Sequence, residues 1–136
     1  MFDSETNVAS QCMCTGLTHA LRGEYQEARI CYEAAIKTAE QTDNIWLMCL
    51  SKLYLGDLYR TMKEYDKAMR LYEEVLVVAN KINDLQLKGY AHTYLGHLYV
   101  ERDQIMDTQE HLEHARAVQR KLYGGPPAHT SPSYAL

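Results

Sequence analysis

The apolar positions of this chain recur with helical spacing. Leu50, Leu53, Tyr54, Leu58 and Met62 fall near a 3.6-residue period and predict one helix. The short polar joint Lys63-Glu64 follows. Tyr65, Ala68, Met69, Tyr72, Val75, Leu76 and Ala79 then predict a second helix. It ends around residues 80–84, where Asn and Asp favour helix ends and turns. No proline precedes Pro126, so nothing in residues 1–125 interrupts long helices. No segment alternates apolar and polar residues as a half-buried strand does. The pattern predicts an all-α fold.

The helix pair repeats. Gly16, Gly56 and Gly96 are 40 residues apart. Their neighbours keep step: Ala28, Ala68 and Thr108; Tyr32, Tyr72 and Leu112; Tyr25, Tyr65 and Ile105; Ala35, Val75 and Ala115; His19, Tyr59 and Tyr99. Each copy reads as helix–turn–helix, which gives about six helices over residues 9–43, 44–83 and 84–123. A Gly inside a helix costs about 1 kcal/mol against Ala, so a Gly recurring at one register implies a packing reason. Gly56 and Ala68 on facing helices allow axes to approach to about 8–10 Å. A Leu at Gly56 is expected to push the pair apart.

These residues resemble the tetratricopeptide repeat, whose helices carry Leu-Gly and Tyr in the first and Ala, an aromatic and a small residue in the second. Copy two has the full set: Leu55, Gly56, Tyr59, Ala68, Tyr72 and Val75. Copy one keeps Gly16, Ala28, Tyr32 and Ala35, with Thr15 and His19 substituted. Copy three keeps Leu95, Gly96, Tyr99 and Ala115, with Thr108 for Ala and Leu112 for the aromatic. The common period of this family is about 34 residues. The longer repeat is similar to those of Pins/LGN-type and rapsyn-like scaffolds.

The resemblance implies a TPR-like α-α superhelix of three repeats, its inner groove lined by the first helix of each pair. The groove positions are then Met13 and Leu17; Leu50, Leu53, Asp57 and Arg60; and Tyr90, Thr93, His97 and Glu101. Such a groove suits an extended peptide or a helix with one apolar anchor and a few charges. Related cochaperones hold a C-terminal carboxylate with Lys and Asn on these helices. Here the matching positions hold Met13, Leu17, Asp57, Thr93 and His97, so no such clamp is expected. Tyr54 and Tyr94 replace the Asn that other long repeats place before Leu-Gly.

Composition narrows the partner. The net charge of -4 argues against nucleic acid, which needs a basic face. No run approaches the roughly 20 apolar residues of a membrane span, and the first ten residues lack a signal-peptide pattern. Cys12, Cys14, Cys31 and Cys49 show no paired framework and read as reduced cytoplasmic thiols. His111 and His114 share a helix face but read as a solvated surface, without the HExxH order of a metalloprotease. No nucleophile elbow, P-loop or dinucleotide fingerprint occurs. No catalytic, cofactor or metal site is expected.

The ends differ. Residues 1–8 read as a lead, and the polar segment 107–122 reads as a cap on the stack. Residues 124–136 are rich in Gly, Pro and Ser and are expected to be disordered. The expected function is a non-enzymatic adaptor that binds a protein or peptide in the groove. The alternative is a structural module that self-associates through the uncovered first repeat, or a piece of a longer scaffold.

Overall fold

The computed structural model describes residues 4–124. The tail expected to be disordered lies, from residue 125 on, outside the described residues. Five helices are described: α1 (Ser4–Leu21), α2 (Tyr25–Gln41), α3 (Ile45–Thr61), α4 (Tyr65–Ile82) and α5 (Leu85–Tyr123). No strand occurs among the described residues. The all-α, TPR-like helical repeat fold is what the structure shows. The chain divides into two compact units, Met1–Tyr99 and Val100–Leu136. α1 begins inside the stretch expected as a lead.

Four turns join the helices, and they are alike. A left-handed residue stands at Gly23, Asp43, Lys63 and Asn83, one every 20 residues. After each, a backbone N–H reaches back five residues: Glu24 donates to His19, Asn44 to Ala39, Glu64 to Tyr59 and Asp84 to Ala79, all at 2.9–3.0 Å. This is the Schellman closure, which satisfies carbonyls orphaned at a helix end. The turns between copies carry side-chain caps as well. Asn44 Oδ1 accepts from the Leu47 N–H at 3.1 Å, and Asp84 Oδ1 accepts from the Gln86 and Leu87 N–H groups at 3.0 Å. The turns within copies have none, since neither Glu24 nor Glu64 caps with its side chain.

Those inner turns are held by packing. A Cβ on Gly16 would lie 2.8 Å from the Tyr32 ring, and one on Gly56 would lie 2.5 Å from the Tyr72 ring. Only hydrogen at these positions lets the second helix seat its tyrosine against the first. The far face of each ring meets the next copy. Tyr32 stacks on Tyr54 at 6.1 Å between centroids, and Tyr72 stacks on Tyr94 at 5.3 Å. Gly16–Tyr32–Tyr54 and Gly56–Tyr72–Tyr94 therefore form the same layer twice. The main core of the first unit gathers around the second layer: Cys49, Leu53, Ala68, Val75, Ala79, Leu87, Ala91, Leu95 and Leu98.

Copy three departs from the expectation of two helices. α5 runs for 39 residues with no turn near Asp103, so five helices are described in place of about six, and segment 107–122 is the continuation of α5. The physical reason lies in its residues. Thr108 replaces the buried Ala and Leu112 the buried Tyr, and a Cβ on Gly96 would find nothing within 4 Å. A turn without a cap has to be held by what it joins, and here the joining residues are missing.

Candidate functional site

The groove positions predicted from the sequence divide into surface and core. Leu53 is a correction: it is 1% exposed, packed with Cys49, Tyr72 and Val75, and offers a ligand nothing. α3 is packed by both α2 and α4, so the apolar side of its helix is covered from two directions. Met13 is half-buried against Ala9, Ala39 and Leu47. Leu17, Thr93 and His97 are exposed, and the Thr93 hydroxyl donates to its own helix at the Gly89 carbonyl, 2.8 Å away. Glu101 belongs to the second unit and is described with it.

Leu50 and Tyr90 belong to a patch that the sequence reading missed in part. Its third member is Trp46, the chain's single Trp, one helical turn before Leu50 on α3. Trp46 and Tyr90 meet edge to face, with centroids 6.3 Å apart and planes at 80°. Each ring is also pinned by a hydrogen bond. Trp46 Nε1 donates to Asp84 Oδ2 at 3.1 Å, and Gln86 Nε2 donates to the Tyr90 hydroxyl at 2.9 Å. Both rings remain more than a third exposed. Held rings with free faces give contact area at little entropic loss. The signal available in the sequence was the lone Trp four residues ahead of Leu50, outside the helix window that began at Leu50.

Seven residues after Leu50, on the same face of α3, stands an ion pair. Arg60 donates through Nη2 at 2.7 Å and Nε at 3.1 Å to Asp57 Oδ1. No hydrogen bond joins Asp57 to His97 among the described residues. The Asp57 charge is felt by the tyrosine layers. Burial pushes the Tyr32 phenol up to about 12, with the Tyr54 and Asp57 charges adding to it. Burial, then Asp57, raises Tyr72 and Tyr94 in the same sense. These phenols stay protonated over the physiological range, and the layers act by packing, not as bases.

The alternating small and aromatic residues have a counterpart among known proteins. Residues 55–86 match the family model described as the tetratricopeptide repeat. The match supports a TPR-type repeat in this stretch of the chain. The matched stretch starts at Leu55-Gly56, takes in Tyr59, Ala68 and Tyr72, and runs through the capped turn at Asp84. No curated protein matches the chain. A TPR-type repeat points to protein–protein interaction in general.

The remaining candidates carry less. No three His, Cys, Asp or Glu residues are grouped to hold a metal among the described residues. No described helix is long and apolar enough to cross a membrane. Cys49 is buried, and burial raises its thiol above the ordinary value, which lowers its reactivity.

Proposed function

We propose that the chain is an adaptor that holds a peptide or a single helix of another protein on the first-helix face, with Trp46, Leu50 and Tyr90 as its apolar anchor site. The observation that carries this reading is the pinned, exposed Trp46–Tyr90 pair. Aromatic side chains dominate binding energy where they fill a pocket or accept an apolar anchor. The Asp57–Arg60 pair lies along the same face and offers polar register beyond the anchor. A partner segment with one large apolar side chain followed by mixed charges fits this order. No Lys/Asn clamp stands on this face, so a terminal carboxylate is not the recognised feature.

The test is selection of peptides from a random displayed library against the full chain, followed by calorimetric titration of the selected sequences. Trp46→Ala with Tyr90→Ala is expected to weaken binding by at least about 2 kcal/mol, the size of an interface hot spot, while far-ultraviolet circular dichroism stays helical. Selected peptides that bind the double variant as tightly as the parent would sink the assignment.

A further inference from the structure

Gly89, His92, Thr93, Gly96 and Tyr99 share one face of α5 within the first unit. All five are exposed, and a Cβ on Gly89 or Gly96 would meet nothing within 4 Å. One period earlier the same register is covered by α4. There Cys49, Leu53 and Gly56 are buried, and Lys52 and Tyr59 are half-buried. In copy one Ala9 and Gly16 are buried against Ala39 and Tyr32 of α2. The face of α5 is therefore the third of three equivalent seats, and no described residue fills it.

The two filled seats show what fits. Each takes a small residue and, four positions on, a tyrosine that lies on the glycine: Ala28 and Tyr32 at Gly16, Ala68 and Tyr72 at Gly56. At the second seat an acid two positions further on pairs with a cation of the seat, Lys52 Nζ lying 3.2 Å from Glu74. The third seat keeps its glycine and has Tyr99 at the place of Tyr59. It has His92 at the place of Lys52, and an imidazole can donate to a carboxylate. The chain's own continuation lacks all three complements. Thr108 stands for the Ala, Leu112 for the Tyr and His114 for the Glu. A second copy has no such helix to give, because Ala28, Tyr32, Ala68 and Tyr72 are at most 1% exposed in their own core.

We propose that the Gly89, Gly96 and Tyr99 face of α5 docks a single amphipathic helix of another protein. That helix carries a small residue, an aromatic four positions later over Gly96, and an acid two positions after that against His92. It lies on α5 as α4 lies on α3, a helix-in-groove mode of recognition. The site uses neither Trp46 nor Tyr90.

The probe is a synthetic peptide with the sequence of residues 64–82, which carries Ala68, Tyr72 and Glu74 in that order. Calorimetric titration into the full chain is expected to show one peptide bound per chain. Gly96→Leu fills the seat, and since a side chain there meets open space the fold is kept, as circular dichroism will show. This variant is expected to bind the peptide at least about tenfold more weakly. Tyr72→Ala in the peptide is expected to have an effect of the same size. Trp46→Ala with Tyr90→Ala in the chain is expected to leave this binding unchanged, so the present site and the apolar anchor site fail separately. Absence of binding up to ~1 mM peptide, or equal binding by Gly96→Leu, overturns the proposal. The second result would arise if the peptide displaced α4 from Gly56. A peptide of residues 104–122 is expected to bind at least about tenfold more weakly than the probe. Equal binding would make the chain's own segment the occupant, and the partner helix would fall.

Discussion

Tyr72 and Leu112 hold the same place in the 40-residue pattern and meet opposite surroundings. Tyr72 is wholly buried, with Gly56 at one face and the Tyr94 ring at the other. Leu112 is half exposed, and the glycine that should receive it, Gly96, has open space where a Cβ would go. The turn residues do not explain the difference. Lys63-Glu64 turns without a side-chain cap, yet at the equivalent Asp103-Gln104 the chain runs on as helix. The lesson is that a turn within a copy is specified by a glycine–tyrosine contact beyond it. Periodicity carries over to copy three; the contact does not.

The comparison breaks most readily at the ring itself. Tyr72→Ala removes the centre of the main core and is expected to destabilise the chain by about 3–5 kcal/mol in chemical denaturation. Leu112→Ala, in dilute solution, is expected to change stability by about 0.5 kcal/mol or less, as for an exposed site. Equal losses at the two positions would mean that Leu112 is packed after all. The glycines give the next largest contrast, and there the sign changes. Gly56→Ala sets a methyl 2.5 Å from a ring that cannot move, which is expected to cost about 1–3 kcal/mol. Gly96→Ala meets nothing, so the helix propensity of Ala is expected to add about 1 kcal/mol of stability. Thermal melts of the two variants should shift in opposite directions.

Much of the first unit was legible because its devices are local or repeat at one period. Gly16, Gly56, Ala28, Ala68, Tyr32 and Tyr72 announce themselves by spacing, and the helix joints follow from polar breaks in the apolar pattern. Tyr54 and Tyr94 were visible as substitutions but not as partners, because stacking between copies needs a distance that a one-dimensional pattern does not contain. Leu53 was misplaced for a related reason. A helical period shows which side is apolar, and it does not show that neighbours on two sides cover that side. Trp46 lay ahead of the assumed helix start. Copy three read as a hairpin because its period persists while Thr108 and Leu112, the residues that had to make contact, had changed.

The smallest effect separates the two kinds of turn. Between copies, Asp84 caps α5 through two backbone N–H groups and also holds the Trp46 indole. Within copy two, Glu64 starts α4 without a side-chain cap and makes only an exposed 3.5 Å contact with Lys67. Asp84→Ala is therefore expected to cost about 1 kcal/mol, the usual worth of a cap, and to shift the emission of the single Trp as its hydrogen bond is lost. Asp84→Asn keeps a single oxygen acceptor, so with it on the Gln86 and Leu87 N–H groups the cap should be retained while the Trp46 hydrogen bond and its emission signal are lost. Glu64→Ala should fall within about 0.5 kcal/mol of the parent, because exposed ion pairs contribute little. If Glu64→Ala proved as costly as Asp84→Ala, side-chain capping would hold both kinds of turn. The missing turn at Asp103 would then need another cause, since Gln104 could not be excused by the absence of a tyrosine alone.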